Sequence, residues 1–227
     1  MKLFKNTGKK KQSHQDGFTI VELMIATAVF SVILIVVTQT LVYITNSYYE
    51  GVMQQNTQNV TRNIVNTIGE DIQFNDAIPY TAKIANDNTT LGYCIGTILY
   101  SYLKGQEVEN SPNFSQDQAY HGLVELNSQV CSSQKQAQTL SGYYGNNLTP
   151  GSTELLGQNM RLADFSINSI GNNSTGNLLY QIYAKVVYGD TDLLTNPTLP
   201  NAACIGGDST QFCYTTDLST VVQVRVN

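Results

Sequence analysis

Gly17-Phe18-Thr19-Ile20-Val21-Glu22 is the stretch whose reading decides the fold. Upstream, Met1 to Gly17 carries Lys2, Lys5, Lys9, Lys10 and Lys11 against a single Asp16. Beyond Met1, its only sizeable apolar residues are Leu3 and Phe4, too few to build a core. Downstream, Leu23 to Tyr49 carries no charge. A glycine–phenylalanine junction thus separates a basic leader from an apolar run, and one carboxylate sits just inside that run.

As a helix, Phe18 to Ile44 would be about 40 Å long, more than the ~30 Å hydrocarbon core of a bilayer. The segment can therefore span a membrane. A basic flank is retained on the cytoplasmic side, so the chain is expected to emerge on the far side from Asn46 onward. An ordinary secretory signal has a small-x-small cleavage site after a short apolar region. Ala26-Thr27-Ala28 fits that pattern only formally, because more apolar sequence follows it. A lipoprotein signal needs a cysteine just past the apolar stretch, and the first cysteine is Cys94. A plain uncleaved anchor accounts for the helix but leaves Glu22 unexplained. A carboxylate in a bilayer costs a few kcal/mol or more unless something pairs with it, and the helix dipole offsets only part of that.

The junction, the carboxylate and the apolar run together resemble the N-terminus of the type IV pilin family, which includes the pseudopilins of type II secretion. The resemblance is specific from Gly17 to about Val37. It implies cleavage after Gly17 by a prepilin peptidase and N-methylation of the new terminus, Phe18. Such an amine is largely protonated at neutral pH. The resemblance implies that Glu22 pairs with the amine of a neighbouring subunit, so that desolvated charges select register. The implied partners are the peptidase, other pilin subunits, an inner-membrane assembly platform and, before assembly, membrane lipid. The implied location is a bacterial-type cytoplasmic membrane, single-pass with the head exported, and then the cell surface. The long leader and Asp16 beside the cut depart from the shortest members of the family.

The chain has 12 Lys plus Arg and 17 Asp plus Glu, a net charge of −5. Loss of five lysines and one aspartate with the leader leaves 7 basic and 16 acidic residues, a net of −9. Nucleic-acid binders show a basic patch, whereas Arg62, Lys83, Lys104, Lys135, Arg161, Lys185 and Arg225 are scattered. Direct nucleic-acid contact is not expected.

Val60, Ile64, Ile68 and Ile72 recur every four residues with Val65 beside them, one stripe of an amphipathic helix. The helix is expected to end near Asn75, ahead of Pro79, with Gly51 as a point where it could bend. The expected spine is residues 18–49 for membrane or filament core and 50–75 for packing on a head at 76–227. About 150 residues suffice for one domain. Tyr180 to Tyr188 alternates with period two, as do Val222, Val224 and Val226. Ile95 to Tyr102, Met160 to Ile170 and Leu123 to Leu126 are further strand candidates. A long helix followed by antiparallel strands is α+β, which fits the pilin fold that the resemblance implies.

Cys94, Cys131, Cys204 and Cys213 would all lie on the exported side, where disulfides form. Four cysteines allow three connectivities. Proximity favours Cys204–Cys213, around Gly206-Gly207-Asp208-Ser209, with Cys94–Cys131 as the second pair. Zinc is the rival, but there is no C-x-x-C, and His121 is the only histidine in the head. Catalysis by Ser-His-Asp or Cys-His needs partners within hydrogen-bonding distance, and no motif marks a nucleophile or a phosphate cradle. No enzyme activity and no cofactor are expected. Asp164 and Asp217 read as surface or turn residues. Asp190 and Asp192 could offer oxygens to calcium, though a solvated turn is the simpler reading. Tyr43, Tyr48 and Tyr49 suit a membrane interface. Tyr143-Tyr144, Tyr100 and Tyr102 could face a partner or pack within strands.

Thr61-Arg62-Asn63 to Asp71-Ile72 followed by a large β-rich head resembles minor pilins of the PilW type and pseudopilin J, which prime assembly at the filament tip. A major pilin, a secretion pseudopilin and a membrane-anchored adhesin or binding module are the alternatives.

Overall fold

The computed structural model describes residues 17–75, 78–83, 91–108, 121–127, 131, 152–172, 174, 176–197, 201–207, 209–210 and 212–225. The leader through Asp16, Tyr143-Tyr144, Asp208 and Val226 lie outside the described residues. The chain divides into two units, Met1–Thr45 and Asn46–Asn227. One helix, α1 (Ile20–Phe74, 55 residues), contributes to both. It runs through Gly51 without a break in its hydrogen bonding and stops one residue short of the expected Asn75.

In the second unit, α1 buries Ile64, Val65, Ile68 and Ile72, the stripe read from the sequence, with Val60 packed at its margin. The stripe is wider than its aliphatic residues. Thr57, Thr61 and Gly69 are buried on it too. The two threonine hydroxyls donate to the carbonyls of Met53 and Thr57, both at 2.8 Å, so burial leaves no hydroxyl unsatisfied. At Gly69 the helix lies close against the sheet. A Cβ there would lie 3.2 Å from Val222 Cγ1 and 3.7 Å from Ile182 Cδ1.

Two antiparallel sheets meet the helix. The first has five strands in sequential order: β1 (Tyr80–Lys83), β2 (Leu91–Ile95), β3 (Ile98–Tyr102), β4 (Leu123–Asn127) and β5 (Thr153–Glu154). The second contains β6 (Met160–Asn172), β7 (Leu178–Tyr188), β10 (Ser209–Thr210) and β11 (Cys213–Gln223), in the order β10-β11-β7-β6. A two-stranded ribbon, β8 (Leu194–Thr195) with β9 (Ala203–Cys204), lies between β7 and β10 in sequence. Past β3 the chain bonds along the start of β6. Gly105 N donates to Leu162 O (2.9 Å) and Val108 N to Met160 O (3.0 Å), linking the two sheets.

Period-two alternation places Tyr180, Ile182, Ala184 and Val186 of β7 in the main core beside Ile64, Ile68, Phe165 and Val222. Val187 points the other way, into a second small core with Ala163, Leu194, Cys204 and Cys213 beneath the ribbon. The structure corrects two strand readings. Ile95 to Tyr102 is not one strand but a hairpin, turned at Gly96-Thr97 with Gly96 at φ 59°, a left-handed conformation that suits glycine. Of the C-terminal alternation, Val222 belongs to β11, which begins at Cys213 and ends at Gln223, Val224 lies just past it, and Val226 is outside the described residues. Tyr100 and Tyr102 are buried at 0% and 3% exposure, so the strand-packing reading holds for them. Tyr102 stacks on Tyr93, and Phe165 meets both rings edge-on.

Candidate processing and assembly site

The helix start is organised by Thr19 and Glu22. Thr19 precedes the first helical residue, and its Oγ1 accepts the Glu22 N–H at 3.2 Å. Glu22 reaches back, with Oε2 accepting Thr19 N–H at 2.9 Å and the Thr19 hydroxyl at 2.8 Å. This is a reciprocal capping box. It gives Glu22 a local role that the sequence reading missed, although Thr-x-x-Glu ahead of an apolar run is its signature. A plain anchor would therefore also have a use for Glu22. Both of these bonds engage one carboxylate oxygen, Oε2.

Beyond the cap, no described residue covers the first part of the helix. Every residue from Phe18 to Thr45 is exposed, and α1 is long and apolar enough to cross a membrane. A continuous uncovered apolar surface of this size marks a membrane or protein contact. The helix's own carbonyls satisfy its hydroxyls: Thr27 donates to Met24, Ser31 to Thr27, Thr38 to Leu34, Thr40 to Val36 and Thr45 to Leu41. Such back-bonding makes these hydroxyls tolerable in hydrocarbon. Glu22 is the only charged side chain between Phe18 and Tyr49. Tyr43, Tyr48 and Tyr49 are all exposed near the far end of the run.

Gly17 is exposed, and among the described residues nothing lies within 4 Å of where a Cβ would stand.

Residues 12–38 match the family model of the prokaryotic N-terminal methylation motif. This N-terminal segment is type IV pilin-like. The match spans the Gly17–Phe18 junction, Glu22 and the first part of the exposed helix. The motif belongs to structural subunits, and it implies processing by a prepilin peptidase and assembly with other pilin subunits. With the apolar helix it fits a membrane-anchored, single-pass protein. No curated protein and no solved structure matches the chain closely enough to add to this.

In the head, the disulfides are Cys94–Cys131 and Cys204–Cys213, and no cysteine is free. The first ties β2 to the chain beyond β4. The second ties the ribbon to the start of β11. His121 is 2% exposed, and its Nδ1 lies 3.2 Å from Glu154 Oε2. The Glu154 carboxylate also accepts the backbone N–H groups of Gly122, Leu123 and Leu156 at 2.9–3.0 Å. No sequence signal marks this pairing, which brings together residues 33 apart. It is a sealed clasp that uses its carboxylate to satisfy backbone donors. Arg161, likewise buried, donates to Glu107, to Pro197 O (3.0 Å) and to Thr191 Oγ1 (3.2 Å). Asp164 accepts from Lys104 at 2.5 Å, and Asp217 is exposed.

Asp190 and Asp192 flank Thr191 at a short 3-10 turn (Thr191–Leu193). Among the described residues, no group of three or more His, Cys, Asp or Glu could hold a metal ion. At the other end of the head, the Tyr100 hydroxyl donates to Asp71 of α1. Burial, then this bond and the charge of Asp71, raise the Tyr100 pKa far above its ordinary value. Burial, then the charge of Asp71, also raises that of Glu125.

Proposed function

We propose that this chain is a minor pilin, a subunit that primes or caps assembly of a type IV pilus or related filament. In this reading, residues 1–17 are a leader held in the cytoplasm and removed by prepilin peptidase, and Phe18 becomes a methylated N-terminus. Residues 18–49 anchor the protein in the membrane until assembly and then enter the filament core. Residues 50–75 continue the spine, and 76–227 form the exported head. An inner-membrane assembly platform transfers the subunit from lipid to filament.

The observation that carries this reading is the wholly uncovered apolar helix, which opens on a lone carboxylate within the methylation motif. Gly17 supports it. A glycine with no packing neighbour among the described residues suits a residue read by an enzyme. Glu22 supports it as well, because its second oxygen can receive the protonated amine of a neighbour at little cost to the cap.

The test is Glu22→Ala in the full-length protein. Membrane insertion should persist while incorporation into filaments falls. Normal incorporation would remove the charge-pairing role. Mass spectrometry of sheared filaments tests the subunit class. A minor species is expected, and a dominant one would make the chain a major pilin.

A further inference from the structure

The head carries a recess of about 270 Å³ beside α1, at the end of β7. Met53 and Leu193 form its aliphatic walls, and the Tyr188 and Phe212 rings form its aromatic ones. Asn159, Asp190 and Asp192 complete the lining, and both aspartates are exposed. Among the described residues, no lysine or arginine lines the recess.

Local charge is not balanced. The cation beneath the 3-10 turn is Arg161, whose Nη2 meets Thr191 Oγ1 at 3.2 Å between the two aspartates in sequence. It is 2% exposed, and its ion pair is with Glu107. Asp190 accepts a long hydrogen bond from Asn159 at 3.5 Å. Among the described residues, neither Asp190 nor Asp192 has a salt-bridge partner. The recess therefore presents two uncompensated carboxylates beside apolar and aromatic walls.

That lining discriminates between cations. Calcium takes six to eight oxygen ligands, and the side chains of Asp190, Asp192, Asn159 and Tyr188, backed by Met53, Leu193 and Phe212, fall short of that number. An organic cation on an apolar stem uses every wall. Its methylenes lie on Met53 and Leu193, its charge meets the aspartates, and its face can lie against an aromatic ring. A guanidinium suits this better than an ammonium, because it is planar, weakly hydrated and able to bond carboxylates through two donors.

We propose that this recess binds a basic side chain, arginine in preference to lysine, presented by a partner protein. The inference stands apart from the filament reading, since it rests on residues of the second unit alone.

The methionines provide the test. The full-length chain, labelled with ¹³C-methyl methionine in detergent micelles, reports Met53 in the recess and Met160 in the core, where Met160 is fully buried. Titration with N-acetyl-arginine amide should move the Met53 methyl signal saturably and leave Met160 in place. N-acetyl-glutamine amide should move neither. Loss of charge-assisted bonds in Asp190→Asn/Asp192→Asn should weaken arginine binding about tenfold or more, with the Met160 signal confirming the fold. The proposal is overturned by no saturable shift with arginine amide, by an equal shift with glutamine amide, or by equal binding to the double variant. A Met53 response to calcium chloride but not to arginine amide overturns it too, in favour of a metal site.

Discussion

Glu22 serves two masters at the residue scale. Its Oε2 closes the cap on Thr19, and the reading of the chain as a pilin asks the same carboxylate to meet a foreign amine. Thr19→Ala separates the roles. It removes the hydroxyl that accepts the Glu22 N–H, a loss worth about 0.5–2 kcal/mol at a helix N-cap. Hydrogen exchange in micelles should show the Glu22 amide opening faster, with the helix intact from Leu23 onward. An unchanged exchange rate would mean that the cap contributes nothing. Glu125 offers a second test. Burial raises its pKa in the folded head, so the unfolded chain ionises first as pH rises. Its ionisation therefore costs stability, starting near the ordinary glutamate range and continuing through its higher folded pKa. Glu125→Gln should melt at a higher temperature than wild type at pH 7 and at about the same temperature at pH 3, where both groups are neutral. An advantage that grew on acidification would contradict this assignment.

At the scale of elements, the junction between α1 and the sheets holds the head together. Ile68 is fully buried, and Ile68→Ala should cost about 2–5 kcal/mol, read as a lowered denaturation midpoint of the full chain. Gly69→Leu, pressed against Val222 and Ile182, should destabilise by about 1–3 kcal/mol through overpacking. Legibility in the sequence tracks periodicity here. The four-residue spacing of Ile64, Ile68 and Ile72 and the alternation in β7 are unbroken over long runs, and both elements were readable. Thr57, Thr61 and Gly69 belong to the same buried stripe, but they are polar or small and lack the hydrophobic signal that marks it. The front of β11, Tyr214-Thr215-Thr216-Asp217, fails for the same reason. Its buried positions include Thr215 and Thr216, so an apolar/polar alternation cannot be seen. Two-residue strands such as β5, β8, β9 and β10 have no period to detect. Gly96-Thr97 split an apolar run whose glycine was the one sign of a turn.

At the scale of the whole molecule, the N-terminal site was legible because it is local: junction, carboxylate and apolar run are contiguous. The His121–Glu154 clasp, the Arg161 network and the recess at Met53 join residues 30 or more apart and appear only once the chain is folded. The head leans on its disulfides to different degrees. Cys94–Cys131 closes a separation of 37 residues and Cys204–Cys213 one of 9. Loop-entropy estimates give about 4 and about 2.5 kcal/mol. Replacing the first pair with serines should therefore lower the denaturation midpoint more than replacing the second, and the reverse order would show that the ribbon's small core matters more than chain entropy.

The central claim is that this exposed helix is made ready for a filament by removal of its leader. N-terminal mass analysis of the protein taken from its own cells tests it directly. The account predicts a chain that begins at Phe18 and carries a methyl group on its amine. A chain that still begins at Met1, with its five leader lysines in place, would contradict it.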